Sequence, residues 1–438
     1  MQLRISIICC LFIFSHFFNK IQAQNNTNEI SNLATADTTK PELKQIEIDL
    51  LGSYYDQDGN NSPVTGGRGT ENLQDITNNI IISIPYGKNI YSINIGQDFI
   101  TSASTDNMDT DVSSDSKKDV RTHGDIGVTR KISKRKSYHV GAGFSSEYDV
   151  TSFSLNGGVA LESKNRNSSL DINAKVYTDY WLLYQPIEFR PGVDSTVLAN
   201  FSGEEYHDSY GSSSGNDNRT SYNFSMSFAQ ILTKKLQVSF TTDFVYQKGL
   251  LHTPFHRVYF NDGVDVSNLD EIEVIKSNKL RKRELLPDSR MKIPLGFRFH
   301  YYVNNVILFK FFYRYYHDDF GINANTYEIE LPIRFSKAIA FYPFYRYHTQ
   351  TASDYFAPFG THDIGDEFYT SDYDLSAFNS NYFGLGFKYA PLFGIGRNEF
   401  SKKAIVKVKS LNLRYANYTR SNNLKANLFS LGLSFTVF

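Results

Sequence analysis

The chain has 438 residues and a net charge of −1, with 45 Lys and Arg against 46 Asp and Glu, so it lacks the basic excess of a nucleic-acid binder. With 41% hydrophobic residues, 35 Phe and 30 Tyr, it is not a disordered chain either. The length suggests two or three soluble domains, a prior that one large all-β unit overrides.

The first element is an export signal. Arg4 gives a positive start, Ile5 to Phe18 is an apolar stretch, and Ile21-Gln22-Ala23 ends on a small residue, so residues 1–23 read as a signal peptide cut after Ala23. The apolar run is too short for a membrane anchor and no stop-transfer pattern follows it. Cys9 and Cys10, the chain's two cysteines, leave with it, so the mature chain has no disulfide, thiolate nucleophile or cysteine metal site. Cys9 lies too early, behind Ile8, to be a lipid attachment point. Residues 24–44 are polar and read as a flexible lead into a barrel over 45–438.

Beyond the signal, no uninterrupted apolar run reaches the roughly 18 residues a spanning helix needs. Alternation recurs instead. Leu170, Ile172, Ala174 and Val176 interleave with Asp171, Asn173 and Lys175; Leu236, Val238, Phe240 and Phe244 interleave with Gln237, Ser239, Thr241 and Asp243. A period of two is the pattern of a strand with one apolar and one wet face. Sixteen such segments follow in order: 45–55, 76–85, 90–101, 121–132, 137–147, 150–162, 169–183, 219–230, 235–248, 289–302, 305–316, 326–337, 339–350, 379–391, 404–418 and 424–437. Linkers after even-numbered segments are mostly short, the longest being Leu392 to Lys403. Several after odd-numbered ones are long and polar: 56–75, 102–120, 184–218, 249–288 and 351–378. This predicts an all-β fold, a transmembrane antiparallel β-barrel of about 16 strands with short periplasmic turns and long outer loops.

A secreted β-sandwich also alternates, but it buries its apolar face against a second sheet and has no use for aromatic strand ends. Here Tyr and Phe gather at segment ends, as at Tyr54, Tyr138, Tyr180, Tyr301, Tyr315, Tyr345 and Tyr415, which fits girdles at two bilayer interfaces. The last segment sets Phe429, Leu431, Leu433, Phe435 and Val437 against Ser430, Gly432, Ser434 and Thr436 and stops on Phe438. Although Phe438 is out of register with the apolar face, this ending resembles the assembly signal of Gram-negative outer-membrane proteins. That implies contact with the outer-membrane assembly machinery as well as the lipid bilayer.

A more local resemblance lies in Tyr342-Pro343-Phe344-Tyr345-Arg346-Tyr347-His348-Thr349-Gln350-Thr351-Ala352-Ser353-Asp354-Tyr355-Phe356, followed by Tyr369-Thr370-Ser371-Asp372-Tyr373-Asp374-Leu375-Ser376. These stretches resemble an uncharacterised family of Gram-negative outer-membrane β-barrel proteins, over most of the mature chain. The resemblance implies the fold and brings no catalytic residues with it.

Sixteen strands leave room for an aqueous lumen. Parity puts Arg290, Lys292, Arg298, Lys310, Arg314, Arg334 and Arg346 on inward faces, with Glu328 and Glu330 the acids among them. The loop 351–378 carries Asp354, Asp363, Asp366, Glu367, Asp372 and Asp374 and no Lys or Arg. Folded inward, it would set an acidic rim against a basic wall, an arrangement that tunes a constriction. The competing reading is of solvated faces and an ordinary outer loop.

The same acids are hard oxygen donors suited to Ca²⁺, yet their spacing matches no EF-hand loop, so no metal or cofactor is assigned. The basic stretch Lys276, Lys279, Arg281, Lys282 and Arg283 falls in an outer loop, where it reads as a solvated segment or as a contact for polyanions. For catalysis, His348, Ser353, Asp354, His362 and Asp363 are the raw material, but no G-x-S-x-G elbow or H-E-x-x-H pair accompanies them, so no enzyme is expected. The expected function is porin-like passage of small hydrophilic solutes or ions. The alternative is a non-conducting receptor, adhesin or structural barrel acting through its outer loops.

Overall fold

A computed structural model describes residues 45–102, 119–189, 215–401 and 404–437. The export signal and lead segment expected over 1–44, and Phe438, lie outside the described residues. The first nine strands are β1 (Ile46–Asp58), β2 (Leu73–Tyr86), β3 (Asn89–Ser102), β4 (Asp119–Ser133), β5 (Lys136–Ser146), β6 (Val150–Glu162), β7 (Ser168–Leu182), β8 (Asn216–Thr233) and β9 (Leu236–Gly249). A short hairpin, β10 (Arg257–Tyr259) and β11 (Arg281–Arg283), interrupts the series. Then come β12 (Ser289–Tyr302), β13 (Leu308–Asp318), β14 (Asn323–Glu330), β15 (Ile333–Arg334), β16 (Ile339–Gln350), β17 (Phe378–Tyr389), β18 (Ile395–Ser401), β19 (Ala404–Arg420) and β20 (Lys425–Val437).

Apart from the hairpin, each strand pairs antiparallel with its neighbour, and β1 pairs with β20 from Ile46↔Val437 to Asp58↔Lys425. The sheet therefore closes and has no free edge. Since β15 continues the stave of β14 and β18 that of β17, the barrel has 16 staves. All sixteen predicted segments coincide with a stave.

Two places differ from the expected pattern, each for a backbone reason. The segment 326–337 is broken after Glu330 because Pro332 has no N–H for the ladder, although its carbonyl still accepts from Leu308 N at 3.1 Å. Within the linker 392–403, β18 forms because β19 outlasts β17. Tyr389 is the last β17 partner, opposite Leu411, and β18 takes up pairing from Ile395↔Val408.

The register shows which side chains share a face. Ile93, Ile126, Ala142, Leu155, Val176, Tyr222, Tyr246 and Met291 are successive partners in one row across eight staves. No second sheet covers them: Leu155 is 69% exposed and Ile126 64%. An apolar row left bare is the lipid-facing side of a membrane barrel and rules out the sandwich alternative. On the opposite face, Asn94, Asp125, Gly143, Ser154, Tyr177, Ser221, Gln247 and Arg290 make the matching polar row.

Connections alternate as expected. At one end the strands turn tightly, as at Gly87, whose φ of +58° suits a two-residue hairpin turn before Lys88. At the other end loops are long, and there the apolar core lies. Val258, Phe260 and Tyr369 form one buried cluster, and Tyr259, Val266 and Val274 another, packed by Leu269 and Phe359. A single helical turn, α1 (Glu271–Lys276), stands between β10 and β11. Asp270 accepts from Glu273 N at 2.8 Å, and the Glu273 carboxylate accepts from Asp270 N at 3.0 Å, a capping box that satisfies two otherwise orphaned donors.

Candidate functional site: the lumen and its outer mouth

The seven basic residues expected on the inner wall share the face of the polar row, and the structure divides them by partner. Arg290 donates to Asp318 from Nε at 3.1 Å and lies 4.4 Å over Phe320. Lys310 pairs with Glu330 at 2.8 Å. Arg298, Arg314 and Arg346 instead lie over rings: Phe312 at 4.7 Å, Tyr316 at 5.9 Å and Tyr382 at 4.4 Å. Lys292 stands in register between Val245 and Asp318, and Arg334 is exposed opposite Ala340. Glu328 is framed by Phe312 and Arg346.

Two inward arginines on β19 were not among the predicted seven. Arg414 stacks 3.7 Å over Phe344 and reaches Glu330 at 3.8 Å, and Arg420 lies 4.5 Å over Phe378. For Arg414 the signal was present, since Leu411, Leu413 and Tyr415 define the outward parity of β19; Arg420 lies two residues beyond the predicted end of that segment, where the strand continues to Arg420. On β3 to β8 the polar face carries more closely matched charge. Asp179 meets Arg219 at 2.8 Å, Asp98 meets Arg121 at 3.8 Å, and Asp125 meets Lys175 at 3.9 Å.

At the mouth, loops from four connections lock together. Arg257, fully buried on β10, grips Glu188 of the β7–β8 loop through Nε at 2.6 Å and Nη2 at 3.1 Å, and donates from Nη1 to Val64 O at 2.9 Å. Arg281 adds a second contact to Glu188 at 3.2 Å. Burial pushes the Glu188 carboxyl up, but the Arg257 charge and hydrogen bonds, with Arg281 behind them, bring it below its usual value. Arg68 ties the β1–β2 loop to the same assembly, donating to Val266 O at 2.7 Å and Leu269 O at 2.7 Å.

The loop carrying the six predicted acids docks on this assembly through bridges at Phe260↔His362 and Leu285↔Tyr369. Its acids spread widely. Asp354, Asp363, Asp366 and Glu367 are exposed, Asp366 accepting from Asp363 N at 3.1 Å. Asp372 caps the turn at Tyr373, accepting from Asp374 N at 2.8 Å. Asp374 is bonded to Arg420, so this loop meets the inner wall there, and Gln350 Nε2 holds its backbone at Asp374 O, 3.0 Å, and Ser376 O, 2.8 Å.

Beside Asp374, burial first and then the Asp374 charge push Glu71 up to about 7. Burial and Asp374 also raise Asp372. The basic stretch is engaged within the assembly, Lys279 with Asp262 at 2.8 Å and Lys282 4.7 Å over Phe260.

Among the described residues, the one group of three or more ligating side chains close enough to share a cation is Asp119, Glu147 and Asp149, with donor atoms within 4.8 Å. They stand at the loop ends of β4 to β6, apart from the six acids read from the sequence. Burial raises Asp149 to about 6, with Asp119 adding to it, and Glu147 is also met by Arg121 at 3.3 Å. The residues weighed for catalysis have separate partners. His348 bonds Thr326 Oγ1 at 2.9 Å, Ser353 donates to Phe320 O at 3.0 Å, and His362 is bonded to Thr370 O at 3.0 Å.

A family model described as a protein of unknown function (DUF3570) matches residues 92–423. No curated protein matches the chain. Among solved structures, Acinetobacter baumannii OccAB1 superposes with a TM-score of 0.41 at 10% identity, over 93% of this chain and 100% of that one. Pseudomonas aeruginosa OprD gives 0.40 at 8% identity, over 93% and 99%. A bacterial polysaccharide outer membrane secretin gives 0.40 at 8% identity, over 90% and 98%. At this distance the likenesses add nothing to the fold, which stands on the strand pairing.

Proposed function

We propose that this chain, which belongs to the DUF3570 family of proteins of unknown function, is an outer-membrane channel that passes small hydrophilic solutes or ions by diffusion through a charged lumen. One observation carries the reading: the 16-stave barrel keeps a polar inner face whose ionic groups reach water, the Asp125 side chain being 47% exposed and that of Lys310 35%. A barrel of that size is wide enough for an aqueous path, and its bare apolar exterior needs lipid. Residues 1–23 would direct export, and the outer-membrane assembly machinery would insert the mature chain.

In this reading the basic wall from Arg290 to Arg346 faces the path, and the acidic loop narrows the mouth where Asp374 meets Arg420. The locked loops favour a second reading. A mouth held by a buried ion pair and two apolar clusters is also what a non-conducting surface receptor or adhesin would present. Swelling of liposomes carrying the refolded chain, in sugars of graded size, separates the two. Entry of small sugars with a size cut-off supports the channel, and no swelling by a folded barrel supports the receptor.

A further inference from the structure

Part of the inner wall carries charge that its neighbours do not balance. Register sets Arg298, Phe312, Glu328 and Arg346 in one row across β12, β13, β14 and β16. Arg314 lies one pleat repeat along β13, opposite Gly296 and Thr326. The other acids of these staves are committed, Asp318 to Arg290 and Glu330 to Lys310 and Arg414. Among the described residues, Arg298, Arg314 and Arg346 make no ion pair, and neither does Glu328, the one acid in their row. Three guanidiniums face two carboxylates, Glu328 and, from the adjoining β9, Asp243, which interacts electrostatically with Arg314, and leave a local charge of +1.

Arg298 and Arg346 lie 4.7 and 4.4 Å over aromatic rings, and Arg314 lies 5.9 Å from the centre of one. With no carboxylate on them, these guanidiniums keep the fork of N–H donors that matches a carboxylate or phosphate bidentately. Low-dielectric walls make the mutual repulsion of these cations stronger than in bulk water, and an oxyanion between them relieves it. We infer that Arg298, Arg314 and Arg346 form a binding station in the lumen for small polyvalent oxyanions, carboxylate or phosphate. The inference draws on the channel reading for passage and on the wall alone for binding.

The test uses the chain without residues 1–23, refolded in detergent, with citrate and pyrophosphate as probes. Each is titrated calorimetrically and then added as a blocker of chloride current in a planar bilayer. Wild type binds one or both; the stronger of the two identifies the carboxylate or the phosphate source. Replacing all three with Gln (Arg298→Gln, Arg314→Gln, Arg346→Gln) weakens binding at least tenfold, whereas Glu328→Gln tightens it. Arg346→Lys, which keeps the charge and loses the fork, weakens binding less than Arg346→Gln.

Should the triple variant not fold, the opposite shifts of Arg346→Gln and Glu328→Gln decide the matter. No binding by wild type, or undiminished binding by the folded triple variant, overturns the station. A silent bilayer with calorimetric binding that depends on the arginines retires the channel and keeps the station. Conductance without binding does the reverse.

Discussion

Glu188→Gln is the substitution whose cost the structure defines most closely. The carboxylate takes two bonds from Arg257, at 2.6 and 3.1 Å, and one from Arg281 at 3.2 Å, with the Arg257 and Glu188 side chains 0% and 4% exposed. A neutral amide leaves two buried guanidiniums without their counter-charge, and removing one partner of such a pair costs about 3–5 kcal/mol. Because hairpin β10–β11 is a separate sheet held at the mouth by loop contacts, the cost should appear as local opening of the mouth rather than unfolding of the barrel.

At roughly 1.4 kcal/mol per decade, opening rises by about 10²- to 4 × 10³-fold. Trypsin is a direct probe, since Arg281, Lys282 and Arg283 lie on the hairpin itself. Where opening equilibrates faster than cleavage, the cleavage rate follows the open population. The double change Glu188→Leu with Arg257→Met should recover only part of the loss, because the apolar pair avoids its own desolvation cost while Arg281 still lacks its counter-charge. If Glu188→Gln alters hairpin cleavage by less than about threefold, the buried pair does not hold the loops and the reasoning fails.

The loops should also be tightest in mildly acidic solution. Glu71 rises from its ordinary 4.5 to about 7, so the stability it allows is full below 4.5 and declines as the pH climbs to 7. His256 is raised by Glu284 against its own burial, so its share is present at low pH and lost as pH rises through the folded value. Glu188 and Glu284 are lowered, and their shares vanish only in stronger acid. Hydrogen exchange over 59–72 and 351–377, corrected for intrinsic rate, should therefore be slower at pH 5.5 than at pH 8; equal protection would contradict this.

Asp318→Asn strands Arg290 and weakens the caps on Phe320 N and Ile322 N, held at 3.1 and 3.0 Å. Urea unfolding in detergent should show a loss of about 3–5 kcal/mol. In Gly386→Ala the new methyl falls 1.7 Å from a Tyr342 ring carbon, so the ring must leave the glycine it covers. A stability loss of about 1–3 kcal/mol with an altered near-ultraviolet spectrum is expected.

The staves were legible because period-two alternation is imposed residue by residue. Leu170, Ile172 and Ala174 face lipid for the same reason that Asp171, Asn173 and Lys175 do not. Alternation also fixes parity, which is why the seven basic residues of the predicted wall share one face. It says nothing of what a side chain meets across the face, and so the difference between Lys310, which has a carboxylate partner, and ring-stacked Arg346 appears only in three dimensions.

The mouth was the least legible part. Arg257 and Glu188 stand 69 positions apart in two loops without periodicity, and only the folded chain brings them together. The Asp270-x-x-Glu273 capping box was a local signal for the helical turn within that loop, and it was there to be read.

Single-channel recording from the refolded chain in a planar bilayer tests the central claim most directly. Discrete conductance steps, with a reversal potential in a salt gradient that shifts when Arg314 and Arg346 are neutralised, are the predicted result. A folded, heat-modifiable barrel that inserts and carries no current would contradict the account.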